Sequence, residues 1–141
     1  MLLTALVFLA TFLPLTVCGG DIDPARFDEL VLKDTRVWAV EFYSPMCGSC
    51  TEFAPTWATL ESKFKSIESG KINIDSKEGL AVAQRLGVLD EGLPNIRLFD
   101  AQQSSSIMAG DAKPAKELMA LLKKKIKGLS RRDDGYYLKA V

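Results

Sequence analysis

The sequence has 141 residues, and removal of an N-terminal stretch of roughly 20 leaves about 121, which is the size of one domain and excludes two independent ones. Apolar residues make up 48% and charged residues 26%, a balance that permits a buried core and excludes disordered or collagen-like chains. Lys+Arg and Asp+Glu number 18 each, so the overall charge does not indicate nucleic-acid binding.

The N-terminal segment, residues 1–20, is predicted to be a cleaved secretory signal peptide. It contains no charged side chain, and fourteen of its first eighteen residues are apolar. Small residues around Cys18 provide a suitable cleavage site for a signal peptidase. An uncleaved membrane anchor is the alternative, but Pro14 interrupts an apolar run that is already short for a bilayer. Lipid attachment at Cys18 is a minor option.

The first elements after the signal are a short helix and a buried strand. Asp23 is a suitable N-cap, Pro24 suits the first helical position, and apolar spacing continues to Asp34. Residues 37–44 are β-branched and aromatic with little polar interruption, which indicates a strand buried on both faces. This strand is predicted to end at Pro45.

The middle of the chain is predicted to hold a long helix, a strand and a second helix. Residues 50–67 form an amphipathic helix, kinked by Pro55, whose apolar side chains are expected in the core. These side chains are Phe53, Trp57, Leu60, Phe64 and Ile67. Residues 71–75 form a short strand, and Ser76 caps a helix that ends at Gly87. This second helix is expected to use Leu80, Ala83 and Leu86 as its apolar positions.

The last elements are two strands, residues 96–99 and 106–109, followed by a helix that Pro114 opens and Gly128 closes. Strands that alternate with helices pair in parallel through right-handed crossovers, whereas the closing pair with its short turn is antiparallel. The fold class is therefore α/β, with a central mixed sheet flanked by helices.

Cys47-Gly48-Ser49-Cys50 lies where the buried strand meets the long helix. The first cysteine is then at a helix N-terminus, where free backbone N–H groups favour a thiolate, and the second is close enough to form a disulfide with it. Such a pair can cycle between dithiol and disulfide. The alternatives are an inert structural disulfide or half a zinc site, but histidine is absent and there is no second Cys-x-x-Cys.

The sequence alone leaves the roles of Glu41 and Pro94 undecided. Glu41 is an ionisable group within an apolar strand, so it is either buried with a raised pKa or exposed at the strand edge. Pro94 precedes the third strand and could be an ordinary loop proline.

The segment from Glu41 to Cys50 resembles the Glu-Phe-Tyr-Ala-Pro-Trp-Cys-Gly-His-Cys segment of the thioredoxin superfamily, in particular the catalytic domains of protein disulfide isomerases. Residues 53–57 and 93–99 resemble the continuation of that pattern, and the resemblance runs from about Asp21 to Ile126. It implies a thioredoxin fold over residues 21–128.

The resemblance implies a role for each matching residue. Cys47 is the nucleophile, Cys50 resolves the mixed disulfide, and Glu41 accepts the proton of Cys50. Pro94 is cis and next to Cys47, and the backbone of Leu93 binds an extended client segment by β-strand addition. No metal and no cofactor are expected.

The sequence departs from the pattern at Met46, which replaces a tryptophan, and at Ser49, which replaces a histidine. Without that histidine, we expect a higher Cys47 pKa and a less oxidising pair than in histidine-bearing relatives. A lysine expected two residues before Asp75 is Asn73, and a basic residue expected after the last strand is either Lys113 or missing.

Residues 129–141 are predicted to be a basic, polar tail. Residues 21–112 contain nine basic and fifteen acidic residues, whereas residues 113–141 contain nine basic and three acidic ones. The C-terminal charges are expected to be a solvated helix face and tail; a docking site for an acidic chaperone or an anionic membrane is the alternative.

The sequence therefore predicts a protein thiol:disulfide oxidoreductase/isomerase that acts on client proteins in the endoplasmic reticulum lumen or after secretion. Glutathione or a redox protein would be its partner, and a monomer is expected. Membrane contact is expected only if residues 1–20 are retained. The alternatives are a thioredoxin-like reductase for one acceptor and a non-catalytic binding module.

Overall fold

The computed structural model describes residues 19–141. A 3-10 turn at Pro24–Arg26 and a π-helical turn at Asp28–Leu32 come first. The strands are β1 (Trp38–Tyr43), β2 (Glu68–Asn73), β3 (Asn95–Phe99) and β4 (Ser105–Ala109), and the helices are α1 (Gly48–Lys63), α2 (Lys77–Arg85), α3 (Val88–Glu91) and α4 (Ala115–Ile126). Between residues 19 and 141 no helix has the length and apolar content needed to cross a bilayer.

The four strands form one mixed sheet in the order β2-β1-β3-β4. β1 and β2 are parallel, as expected for strands joined by a helix, and the closing pair of β3 and β4 is antiparallel, also as expected. The expectation of parallel pairing for β3, which follows a helix as well, was wrong, because β3 is antiparallel to β1. Its first residue, Asn95, pairs with Phe42 near the end of β1, so α2 and α3 return the chain to that end of the sheet and not to the opposite one. The predicted α/β class and mixed sheet are confirmed.

The sheet has a hydrophobic core on each face. β1 contributes to both, because successive side chains of a strand point to opposite faces. Val37 and Ala39 pack with α1 and α4, whereas Trp38, Val40 and Phe42 pack with α2 and the N-terminal turns. The same alternation places Glu41 on the α1 side of the sheet. The prediction of a strand buried on both faces is thus confirmed.

The N-terminal helix is more irregular than predicted. Asp23 caps its first turn by accepting a hydrogen bond from the backbone N–H of Ala25, as expected. The following turn is wider, because the backbone N–H of Lys33 donates to the carbonyl of Asp28, five residues before it.

Two predicted boundaries and one packing position were wrong: the end of α1, the extent of β2, which was expected over residues 71–75, and the place of Leu80 on α2. Helix α1 ends at Lys63, so Ile67 packs into the core from outside the helix, just before β2 begins at Glu68. Leu80 of α2 is 44% exposed, and Gly79 is buried instead. A Cβ atom at Gly79 would lie 2.0 Å from the backbone oxygen of Asn73, so only glycine allows this close approach.

The short helix α3 was not predicted. It follows Gly87, which has a left-handed φ of 74° and lets the chain turn immediately after α2. The predicted last helix is confirmed: Leu118, Leu122 and Ile126 are all buried.

Residues 129–141, expected as a tail, fold back onto the start of β1. The backbone N–H of Val37 donates to the carbonyl of Tyr137, and that of Tyr137 donates to the carbonyl of Ser66. The ammonium group of Lys139 donates to the carbonyls of Leu32 and Asp34 at 3.3 and 2.6 Å, so this cation caps the end of the π-helical turn. Arg131 stacks on the ring of Tyr137, whereas the predicted lysine face of α4 is solvated.

Candidate active site at the β1–α1 junction

The turn between β1 and α1 is held by hydrogen bonds before the first cysteine. The hydroxyl of Ser44 donates to the carboxylate of Asp75 at 3.0 Å and accepts from the backbone N–H of Met46 at 3.1 Å. The backbone N–H of Cys47 donates to the carbonyl of Ser44. These contacts fix the direction in which the chain enters α1.

Cys47 is the N-cap residue of α1, and Cys50 lies in its first turn. The two form a disulfide with a Cα–Cα distance of 5.2 Å. The sulfur of Cys47 accepts a hydrogen bond from the backbone N–H of Cys50 at 3.2 Å, so it occupies the position that stabilises negative charge at a helix N-terminus. Cys47 is half-buried, whereas Cys50 is only 4% exposed. A reagent in solution therefore reaches Cys47 first.

Ser49 is exposed between the cysteine pair and the loop before β3. Its Oγ lies 3.2 Å from the sulfur of Cys47 and 3.4 Å from the carbonyl oxygen of Leu93. Within the disulfide the sulfur has no proton, so the hydroxyl is the donor in either contact, and one hydroxyl proton serves only one of them at a time. The Ser49 hydroxyl is thus a donor available to a Cys47 thiolate.

The peptide bond between Leu93 and Pro94 is cis. Pro94 is buried and Leu93 is half-buried, and the carbonyl of Leu93 faces the first turn of α1 through Ser49. The expected cis geometry is therefore observed, and Leu93 contacts Ser49 between the two cysteines. The position of Pro94 next to Cys47 and the binding of a client segment there stay predictions.

Glu41 is 3% exposed and faces a cavity of about 250 Å³ that Cys50 also lines. This burial excludes the interpretation of Glu41 as an exposed edge residue, and it raises the pKa of the carboxyl to about 7. Lys71 opposes this shift, whereas the negative charges of Glu61 and Asp21 add to it. A carboxyl that titrates near neutrality in a cavity shared with Cys50 can accept or return a proton.

The compensating lysine was missed in the sequence. Asn73 was identified as a replacement for it, but Lys71 is the residue paired with Glu41 in the parallel register of β1 and β2. Lys71 lines the same cavity, and its ammonium lies 5.1 Å from the centre of the Tyr43 ring. The signal available in the sequence was the alternation of β2, which places Lys71 on the side of the sheet that Glu41 occupies.

Glu61 is a second acidic residue of this cavity that the sequence did not single out. Its position on α1, four residues after Trp57, places both side chains on the helix face that covers the sheet. Lys113, by contrast, forms an ion pair with Glu117 at 2.8 Å on the surface and is not among the residues lining the cavity. Met46, adjacent to the cysteines, is 88% exposed.

The sequence is similar to one family of proteins and to several of its known members. The thioredoxin family profile matches residues 21–124. The protein disulfide-isomerase A6 homolog of Drosophila melanogaster is 33% identical over 114 residues, which cover 77% of this chain and 25% of that protein. Human protein disulfide-isomerase A6 is 37% identical over 81 residues, or 55% of this chain and 18% of that protein. The chain thus spans about a quarter or less of the length of these relatives.

Among solved structures, the Trx4 domain of ERdj5 superposes with a TM-score of 0.67 and 26% identity. The match covers 79% of this chain and 98% of that domain. The fold described above therefore has a solved counterpart that is almost completely covered.

Proposed function

The chain belongs to the thioredoxin family, and on this basis we propose that it is a thiol:disulfide oxidoreductase of the protein disulfide isomerase type. Its substrates are the disulfides and thiols of client proteins that fold in the secretory pathway. The observation that carries the proposal is the Cys47–Cys50 pair at the start of α1, with Cys47 accessible and Cys50 buried beside Glu41.

Reduction of a client begins with the Cys47 thiolate, which the helix N-terminus, the Cys50 N–H and the Ser49 hydroxyl stabilise. The thiolate attacks one sulfur of the client disulfide; a Cys47–client bond forms and the other client sulfur leaves as a thiolate. Cys50 then loses its proton to Glu41 and attacks Cys47. This closes the observed disulfide and releases the reduced client.

Oxidation of a client runs through the same steps in reverse. A client thiolate attacks the sulfur of Cys47, and Cys50 departs as a thiolate that takes the proton from Glu41. A second client thiolate then attacks the client sulfur of the mixed disulfide, which forms the client disulfide and releases Cys47 as a thiolate. The two electrons remain on the cysteine pair until glutathione disulfide or a redox protein removes them. Because Glu41 titrates near neutrality, it is available in both protonation states for the two directions.

The position of the Leu93 carbonyl supports recognition of the client backbone. An extended segment that pairs with the residues before Pro94 would be bound through main-chain groups, with its cysteine close to Cys47. Recognition of this kind tolerates many sequences, which suits clients that are unfolded or misfolded.

The test is an assay of disulfide exchange for the purified wild-type chain and for two variants in which one cysteine is replaced. Wild type is expected to reduce insulin and to reshuffle a scrambled protein, and Cys47→Ser is expected to abolish both activities. Cys50→Ser is expected to accumulate a covalent Cys47–client adduct that dithiothreitol releases. Full activity in Cys47→Ser, or no adduct in Cys50→Ser, would contradict the assignment.

The reduction potential, the reshuffling assay and alkylation separate the two alternatives. A reductase dedicated to one acceptor would have a more reducing potential and would fail to reshuffle the scrambled protein. A binding module with an inert disulfide would leave Cys47 resistant to alkylation after mild reduction at neutral pH.

We also propose that residues 1–20 direct the chain into the secretory pathway and that residues 21–128 form the catalytic domain. The mature chain then resides in the endoplasmic reticulum lumen or is secreted, as a monomer that uses glutathione or a redox protein as its partner. Expression with the native N-terminus in a eukaryotic secretory host, followed by N-terminal sequencing and analytical ultracentrifugation, tests cleavage and oligomeric state. A cytosolic chain with Met1 retained would refute the localisation.

A further inference from the structure

The cavity that Cys50 and Glu41 line contains a buried carboxylate oxygen that lacks a hydrogen bond. Oε1 of Glu61 is inaccessible to solvent and has no partner within hydrogen-bonding geometry. The indole Nε1 of Trp57 is likewise unpaired, although it lies close enough to lower the pKa of Glu61. An exposed glutamate would hydrate both oxygens, so the placement of Glu61 has an energetic cost.

The charge of Glu61 lies in the same cavity as the carboxyl group of Glu41. Glu41 and Glu61 line one cavity together with Lys71 and Cys50. Lys71 attracts both carboxylates, and each attraction lowers the pKa of the carboxyl concerned, whereas burial raises both. One ammonium group thus faces two acids and cannot neutralise both.

Other charged and titratable groups lie around Glu41 and Glu61 on the neighbouring segments of the chain. Asp21, which pairs with Lys71 in an isolated bridge, raises the pKa of both Glu41 and Glu61. Lys65, after the end of α1, lowers the pKa of Glu61. Tyr43 of β1 lines the cavity, and its hydroxyl donates to Asp21 at 2.8 Å.

We propose that Glu61 is a positioning residue for the proton transfer of this site: its negative charge repels that of Glu41 in the cavity that both share with Lys71, and so favours the form of Glu41 that carries a proton. The acid–base unit of the site is then a coupled pair of carboxylates with one lysine. This inference rests on the proposed function, because it concerns the proton that Cys50 gives up.

In the resolving step, the Cys50 thiol proton passes to the Glu41 carboxylate as the Cys50–Cys47 bond forms and the Cys47–client bond breaks. The client sulfur leaves with the electron pair of the broken bond. Glu61 makes no bond in this step. Its charge sets the fraction of Glu41 that is already protonated and therefore the pH at which Glu41 can accept the proton.

The direct test is the titration of Glu41 in the oxidised chain, followed by NMR of ¹³C-labelled glutamate carboxyl carbons. The disulfide form has no titrating thiol, and Glu41→Gln assigns the resonance. In Glu61→Gln, which keeps the side-chain shape, we expect the Glu41 midpoint to fall by about 0.5 pH unit or more. Glu61→Ala, checked by thermal unfolding, should give a shift in the same direction.

Glu52→Gln is the matched control, because Glu52 lies on the same helix nearer to Cys50 in sequence but is exposed. It should move the Glu41 midpoint by less than about 0.2 unit, since water screens its charge. An unchanged Glu41 midpoint in Glu61→Gln, or an equal shift in Glu52→Gln, overturns the inference.

A kinetic readout connects the titration to the reaction. The rate at which Cys50 displaces a peptide from Cys47 should rise with pH along the Glu41 titration, and Glu61→Gln should move this rise to lower pH by the same amount. In a Glu41→Gln background, Glu61→Gln should have no further effect on the profile; a persisting shift there would contradict action through Glu41. A chain that shows the NMR shift but no disulfide exchange would refute the proposed function and leave the coupling intact.

Discussion

The replacement of Ser49 by histidine tests how the charge of Cys47 is stabilised. In the structure the nearest side-chain donor to the Cys47 sulfur is the Ser49 hydroxyl, at 3.2 Å. Within residues 19–141, the other polar group in contact with that sulfur is the backbone N–H of Cys50, also at 3.2 Å. Ser49→His would add an imidazolium where the site now offers a neutral hydroxyl.

The size of the effect follows from Coulomb's law. An imidazolium nitrogen on this side chain would lie about 5 Å from the sulfur, where opposite charges attract by about 0.8 kcal/mol in water and about 3 kcal/mol at an effective dielectric constant of 20. Because Ser49 is exposed, we take the lower part of this range, about 1–2 kcal/mol. This lowers the Cys47 pKa by about 0.7–1.5 units.

The same energy changes the redox equilibrium, because the added charge stabilises the reduced thiolate form and has little effect on the neutral disulfide. At about 1.4 kcal/mol per 30 mV, the potential of the pair should become about 20–40 mV more oxidising. The assays are thiolate ultraviolet absorbance against pH in a Cys50→Ser background and equilibration of the two-cysteine chain with glutathione.

Ser49→Gln is the control, since it adds bulk and hydrogen-bonding capacity without a charge, and its Cys47 pKa should stay near that of wild type. A Cys47 pKa in Ser49→His equal to that of wild type would refute the reasoning. So would an equal decrease in Ser49→Gln, because the change could not then come from the imidazolium charge.

Three further predictions concern stability, measured by urea unfolding of the oxidised chain. Burial raises the pKa of Glu41 to about 7, so between about pH 4.5 and 7 the native state holds a proton that the unfolded chain has released. The free energy of unfolding therefore falls as pH rises through this window. Glu41→Gln should remove up to about 3 kcal/mol of this loss, and an unaltered pH dependence would contradict the cost of burying the Glu41 charge. Gly79→Ala should destabilise by about 1–3 kcal/mol, because its Cβ would lie 2.0 Å from the Asn73 oxygen, and a neutral result would exclude that contact. Lys139→Met should lower the free energy of unfolding by about 1–3 kcal/mol, because it leaves backbone carbonyls unpaired. Lys127→Met, at an exposed position, should change it little. Equal effects of the two variants would count against a folded C-terminal segment.

The fold could be predicted to a large extent from periodicity. The apolar run of β1 and the helical spacing of Leu118, Leu122 and Ile126 are local patterns that burial requires, and both were confirmed. Leu80 was misplaced because its spacing is helical, but the backbone approach at Gly79 rotates the buried face of α2. That approach is to the backbone at the end of β2, outside the helix, so the spacing of apolar residues within α2 does not show it.

The cysteine pair was recognisable from its own spacing, but its electrostatic surroundings were not. Lys71 and Glu61 reach the Glu41 cavity from β2 and α1, so their relevance depends on strand register and helix rotation. The resemblance to relatives placed the lysine at the wrong position, and Glu61 had no motif to mark it. The fold-back of Lys139 was equally hidden, because its partners are backbone carbonyls more than 100 residues earlier. The predicted signal peptide lies outside the described residues except for Gly19 and Gly20.

The central claim is that one reversible, accessible disulfide does the chemistry, and the glutathione equilibrium of the intact chain tests it most directly. Samples equilibrated over a range of reduced-to-oxidised glutathione ratios would be quenched with acid, alkylated and analysed by mass spectrometry. We expect a single two-electron transition between about −120 and −270 mV, with Cys47 alkylated before Cys50 on partial labelling. A pair that stays oxidised throughout this range, or that resists alkylation once reduced, would contradict the account.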